Sequence, residues 1–312
     1  MNPFTMAVTG VFKILESKKM KWIGILCLLL FLGCNEQSQK QLPVSVEGYP
    51  LQITDAHKQV IEITAPPQKI VVAGTALYAQ IVDDLQASKK IVGLTQSKNV
   101  PAKLQKITSV GQPLRPNLEK IISLQPDVVF GVSNDIRHKL QQVGIPVFIA
   151  GEPPYGVINS LLSLHKAIRD MDRILHGNTK QSEHLIQEMQ AKIDSYEEKV
   201  TKKVSVAVVY FSTQSTPYVV GKPSIESELL EKAGGQNVFD KSGSISVEDL
   251  IKKNPQIIFT DPSQIEVAKQ NPNMQKLQAV VNGRLVAIKA SSWVSTNLAQ
   301  TFAKVVAAVQ GK

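Results

Sequence analysis

Between residues 51 and 150, short apolar bursts alternate with amphipathic stretches. Leu51-Gln52-Ile53-Thr54 and Val60-Ile61-Glu62-Ile63 alternate with period two around Asp55-Ala56-His57-Lys58, which predicts a β-hairpin. Near-continuous apolar runs at 70–73, 91–94, 127–131 and 146–150 predict buried strands, and the stretches 76–85, 118–124 and 135–143 between them predict helices. Regular strand-helix alternation builds a mostly parallel sheet covered on both faces.

The pattern then breaks and restarts. Over 178–202, Leu185, Met189, Ile193, Tyr196 and Val200 recur at spacings of three and four, a narrow apolar stripe on one long polar helix. At about 1.5 Å per residue such a helix reaches roughly 30 Å or more, about the width of a domain. Beyond it, strands are expected at 204–211, 257–260 and 285–288, with helices at 224–233, 247–253 and 297–309. The expected fold class is therefore α/β: two Rossmann-like lobes with mostly parallel sheets joined by one long connecting α-helix. Residues 51–177 form the first lobe, 178–202 the connecting helix and 203–312 the second lobe.

The N-terminus carries a different signal. A basic stretch (Lys13, Lys18, Lys19, Lys21) precedes an apolar run from Trp22 to Leu32, which is signal-peptide length and too short to cross a bilayer. The run closes on Leu32-Gly33-Cys34 and turns polar at once, which resembles the lipobox of bacterial lipoproteins. Residues 1–33 are thus expected to be a lipoprotein signal peptide and 34–50 a tether. Cys34 would be acylated, anchoring the chain to a membrane of the bacterial cell envelope on its extracytoplasmic side. An uncleaved anchor helix is the plainer alternative. With Cys27 removed and Cys34 acylated, no thiol is left for a disulfide or a metal.

Composition narrows the function. The 312 residues, 43% hydrophobic and 20% charged, can bury a sizeable core. The first 33 residues hold four lysines and one glutamate, so their removal takes the formal charge from +9 to +6. The remaining lysines are interleaved with acids, which gives nucleic-acid binding little support. Val72-Ala73-Gly74-Thr75-Ala76 lacks the glycine spacing of a dinucleotide site, and no Gly-x-Ser-x-Gly follows a strand, so no enzyme is expected. The five histidines fall on a hairpin turn and on helices, without metal-ligand spacing.

Two segments share one grammar. Asn117-Leu118-Glu119 leads through a helix and Gln125-Pro126-Asp127 into Val128-Val129-Phe130, and Ser246-Val247-Glu248 leads through Asn254-Pro255-Gln256 into Ile257-Ile258-Phe259. Asn117 and Ser246 suit an N-cap, and Glu119 and Glu248 suit the first turn, where the helix dipole favours a carboxylate. Taken alone, both acids are merely stabilising.

These segments, with Pro66-Pro67-Gln68-Lys69-Ile70 upstream and Gly221-Lys222-Pro223-Ser224 and Gly234-Gly235-Gln236-Asn237-Val238-Phe239 downstream, resemble the substrate-binding proteins of iron-siderophore, haem and cobalamin ABC importers. The resemblance covers essentially residues 51–312. It implies a docking role in which Glu119 and Glu248 pair with arginines of a permease that works with its ATPase. It also implies a monomer with no cofactor, whose cargo is a small-molecule chelate, a ferric siderophore or a corrinoid. Haem binders of this kind carry a tyrosine after the corresponding Val-Gly, whereas Val110-Gly111 here precedes Gln112-Pro113, which disfavours haem. A ligand-sensing or scaffolding lipoprotein with the same fold and no permease is the alternative.

Ligands of such folds sit against loops at the carboxyl ends of strands. Those loops supply Thr75, Tyr78, Arg115 and Ser133 in the first lobe, and Phe211, Thr213, Gln214, Tyr218 and Trp293 in the second. Aromatics suit a large flat chelate and Arg115 an anionic group, although each residue singly also fits ordinary packing.

Overall fold

The computed structural model describes residues 46–311, apart from 114, 153–155 and 212–215; the leader, Cys34, Thr213 and Gln214 lie outside the described residues. The first lobe opens with β1 (Leu51–Thr54) and β2 (Val60–Ile63), an antiparallel hairpin pairing Leu51 with Ile63 and Ile53 with Ile61. All four of these side chains are buried, as the period-two pattern requires. The turn is built by Asp55: Oδ1 accepts the N–H groups of His57 (2.9 Å) and Gln59 (3.0 Å), while Oδ2 meets the Arg137 guanidinium.

The lobe continues with β3 (Ile70–Val72), α1 (Ala76–Asp84), β4 (Ile91–Leu94), β5 (Gly111–Gln112), β6 (Arg115–Pro116), α2 (Leu118–Ser123), β7 (Val128–Phe130), α3 (Asn134–Gln142) and β8 (Val147–Phe148). Its sheet runs β4-β3-β7-β8, all parallel. Every residue of β3, β7 and β8 is buried, because helices cover both faces of these β-branched and aromatic runs.

Two paired helices lead to the second lobe. The stripe at 178–202 forms a helix over α5 (Lys180–Glu197), shorter than its expected span. It packs along a helix that the sequence pattern does not announce, α4 (Leu161–His176). Helix α4 starts on a Ser160–Ser163 capping box and stops at Gly177, whose φ of 73° is left-handed. A Cβ there would lie 2.7 Å from the Glu47 carbonyl oxygen, so only glycine fits. Buried Asp172 ties the joint, with Oδ1 2.7 Å from His176 Nδ1 and Oδ2 accepting the Ser182 N–H at 2.8 Å. Helix α4 packs on α1 and β1.

The second lobe comprises β9 (Val204–Tyr210), β10 (Tyr218–Val220), α6 (Ile225–Lys232), β11 (Gly235–Asn237), β12 (Gly243–Ser244), α7 (Val247–Lys253), β13 (Ile257–Thr260), α8 (Ile265–Gln270), α9 (Gln278–Val281), β14 (Leu285–Ala287), α10 (Ala290–Trp293) and α11 (Leu298–Gln310). The order is β12-β10-β9-β13-β14, with β11 also on β9. Strands β11, β9, β13 and β14 are parallel, and β10 runs antiparallel to β9 and β12. Helix α11 packs on α5, so the connection carries both lobes. One apolar core consequently runs from Ile70 and Met171 through Ile193 to Val208 and Phe259.

Candidate functional site

In a parallel sheet the loops after the strands gather at one edge. Here they deliver Thr75 after β3, Ser97 after β4, Ser133 after β7 and Ile149 after β8. Two cavities of about 530 and 410 Å³ open among these loops and share Thr75, Tyr78, Pro113 and Gly156, so they form one continuous recess. The larger is closed on its far side by Ala290, Ser291 and Val294, which follow β14. The recess therefore lies between the lobes.

Its floor is Tyr78. A Cβ at Gly74 would come within 2.7 Å of the Tyr78 ring, and one at Gly131, where φ is 71°, would come within 2.8 Å of the Gly74 Cα. Both positions need glycine to leave room for the ring. The phenol oxygen accepts the Ala150 N–H at 2.9 Å. Burial pushes the Tyr78 phenol up to about 12, so it stays neutral.

Thr75 and Ser133 are exposed N-cap residues of α1 and α3, yet neither hydroxyl caps its helix. Both line the recess with their hydroxyls open to a ligand. Arg115 is exposed on β6 and is not among the residues lining either cavity, although its neighbours Pro113 and Pro116 are. Tyr218 is 44% exposed at the carboxyl edge of the second sheet, facing Tyr210 in register, and also stands outside the described walls.

Two expectations are corrected. Phe211 is 5% exposed and packs into the second lobe's own core, its N–H donating to Gln264 Oε1 at 3.0 Å. Trp293 is 1% exposed and sits edge-on to Phe259, with ring centroids 5.9 Å apart. Large aromatics gain most from full burial. The single turn of α10 points Trp293 inward, leaving Ala290, Ser291 and Val294 on the cavity side. The sequence pattern does not single out Ser97, Asn99, Pro113, Gly156, Ala290 and Ser291, small or uncharged residues marked only by their position after strands.

Glu119 and Glu248 are exposed in the first turns of α2 and α7. Their helices are capped alike: Asn117 Oδ1 accepts the Lys120 N–H at 2.9 Å, and Ser246 Oγ accepts the Asp249 N–H at 3.0 Å. Each helix leads into a parallel strand, β7 or β13, so each begins at the carboxyl edge, the edge that opens on the recess. Among the described residues neither carboxylate has an ion-pair partner.

Among the described residues no group of three or more His, Cys, Asp or Glu could hold a metal ion, and no helix is long and apolar enough to cross a membrane.

A profile of the periplasmic binding protein family matches residues 71–291. The chain is 26% identical over 282 residues to YvrC of Bacillus subtilis, named an uncharacterized ABC transporter substrate-binding lipoprotein, covering 85% of this chain and 87% of that one. It is 21% identical to a vitamin B12-binding protein of Vibrio vulnificus, over 75% of this chain and 86% of the relative. Among solved structures, an ABC-type Fe3+-hydroxamate transport protein of Saccharomonospora viridis superposes with a TM-score of 0.71 at 21% identity, covering 85% of this chain and all (100%) of that one. With the match spanning both lobes and the recess between them, the chain belongs to the periplasmic binding protein family.

Proposed function

We propose that the protein is the substrate-binding component of an ABC importer and delivers a large metal chelate, a ferric siderophore or a corrinoid, to a permease with its ATPase. The observation that carries this reading is the recess between the lobes, opening on the same edge as two exposed first-turn glutamates. The names of the relatives support it, and acyl chains on Cys34 would hold the protein at the extracytoplasmic membrane face. The family consists of solute-binding proteins, and the recess offers a wall for binding.

Binding follows from the geometry. Tyr78 gives the recess an aromatic wall, the Thr75 and Ser133 hydroxyls orient the ligand, and Ala290 and Ser291 bound its far side. The paired helices and the shared core make the connection stiff, so lobe movement is small. Glu119 and Glu248 then orient the loaded protein on basic groups of the permease, contributing mainly to on-rate and register.

The test is titration of the mature lipoprotein with cobalamin, cobinamide and ferric siderophores, followed by fluorescence. Its single remaining tryptophan, Trp293, lies directly behind the cavity-lining Ser291 and Val294. Saturable quenching by one chelate, weakened about tenfold (~1.4 kcal/mol) in Tyr78→Ala, is the predicted result. A panel without saturable quenching contradicts it.

A further inference from the structure

The second-lobe wall of the recess is held from behind by one short turn. Strand β13 ends at Thr260 and passes through Asp261 into the 3₁₀ turn Pro262–Gln264. Asp261 Oδ1 caps that turn, accepting the Ser263 N–H at 3.1 Å and the Ser263 hydroxyl at 2.7 Å. Its other oxygen, Oδ2, crosses to the loop after β14 and accepts the Ala290 N–H at 3.1 Å. Ala290 opens α10 and, with Ser291 and Val294, closes the far side of the larger cavity.

The carboxylate supplies what the loop after β14 lacks. The N-cap residue of α10 is Lys289, whose side chain has donors and no acceptor, and it makes no capping hydrogen bond. Asp261 takes the place of that cap from a different loop, where the helix N-terminus favours its charge. The backbone bond from the Ile288 N–H to the Thr260 carbonyl oxygen, 2.9 Å, lies short of Ala290, so the side chain carries the connection between β13 and β14 on to the wall. Gln264 fixes the turn itself: its Oε1 accepts the Phe211 N–H just past β9 at 3.0 Å and the Thr260 hydroxyl at 3.1 Å. One turn thus joins the carboxyl ends of β9, β13 and β14. The Ser263 hydroxyl also holds the Asp261 carboxyl below its ordinary 3.8, so both oxygens remain acceptors at neutral pH.

We propose that Asp261 is a positioning residue for cargo binding: it sets the place of Ala290 and Ser291, and through them the width of the recess. This rests on the importer reading above. Ala290 and Ser291 have small side chains, so what they offer a ligand is mainly shape, and that shape follows from where their backbone lies. A gap of about 0.5–1 Å already forfeits roughly a quarter to a half of a dispersion contact. A wall released from Asp261 therefore grips the cargo less well and lets it dissociate faster.

The test pairs hydrogen exchange with calorimetry on the full-length lipoprotein in detergent. Asp261→Ala removes both contacts, Asp261→Asn keeps one accepting oxygen, and Ser263→Ala loses a hydroxyl of the same turn while leaving the Ala290 contact in place. In the ligand-free protein, exchange over residues 288–294 should quicken about tenfold in Asp261→Ala, less in Asp261→Asn, and not at all in Ser263→Ala. Of cobalamin, cobinamide and a ferric trihydroxamate, the chelate that the parent binds most tightly should bind about tenfold more weakly to Asp261→Ala and within about twofold of the parent to Ser263→Ala. Thermal unfolding checks that each variant is folded, and Asp261→Asn carries the same comparison where Asp261→Ala is not. Parental exchange or parental affinity in the Asp261 variants, or an equal loss in Ser263→Ala, overturns the positioning role and leaves the importer reading standing. A parent that binds none of the three chelates overturns the importer reading and the cargo role with it.

Discussion

Glu228 of α6 and Leu161 of α4 are hydrogen-bonded across the lobes: Glu228 Oε2 accepts the Leu161 N–H at 2.8 Å. A carboxylate of the second lobe therefore sits on the N-terminal end of the helix that lies along the first, where the exposed N–H groups and the helix dipole favour it. From the same helix α6, Lys232 Nζ reaches Glu197 Oε2 at 2.9 Å at the far end of α5. Both open ends of the helical pair are thus tied to one second-lobe element.

Replacing Glu228 by Ala removes a helix-terminal carboxylate contact of about 1 kcal/mol. Urea unfolding should show a loss of that size, and X-ray scattering of the ligand-free variant should show a broader range of lobe separations. An unchanged midpoint and unchanged scattering would mean that the contact adds nothing to the joint.

The Asp55–Arg137 pair makes a larger prediction. The side chains are 0% and 1% exposed, and the pair pins the β1–β2 turn onto α3 beneath Ile149 of the recess, where the Ala56 N–H also donates to the Ile149 carbonyl. Removing one partner leaves a buried charge alone, so Arg137→Met should cost about 3–5 kcal/mol in urea unfolding. The double variant Asp55→Asn/Arg137→Met should recover much of the loss. Equal losses in single and double variants would contradict the account.

Some of this was readable from the chain. Ile70-Val71-Val72 and Val128-Val129-Phe130 announce buried parallel strands because β-branched and aromatic runs suit a sheet covered on both faces. Tyr78, Thr75 and Ser133 were readable for the same reason, since loops after such strands gather at one edge. The sequence pattern does not announce helix α4, although Leu161, Leu164, Ile168, Met171 and Leu175 follow helical spacing, because Pro153, Pro154 and Gly156 shortly before it are residues that break regular elements. The inward turn of Trp293 depends on the direction of one helical turn against Phe259, which periodicity over so short an element does not set. Arg137 reads as a surface residue of α3, and its partner lies 82 positions earlier in the chain.

Acidity offers a third check. Burial raises the Glu226 carboxyl above its ordinary 4.5, so the folded state binds this proton more tightly than the unfolded chain. The associated stability is fully present below pH 4.5 and is lost as pH rises through the raised value. Glu226→Gln should therefore be more thermostable than the parent at neutral pH, and the difference should shrink as pH falls toward 4.5. A difference in melting temperature that does not change with pH would contradict this.

The most direct measurement of the central claim is chelate uptake by cells carrying Glu119→Arg/Glu248→Arg, paired with ligand affinity of the purified variant. Both side chains are exposed at the starts of α2 and α7, away from the cavity walls. The account predicts affinity within about twofold of the parent and uptake reduced at least about tenfold. Uptake at the parental rate with intact affinity would contradict it.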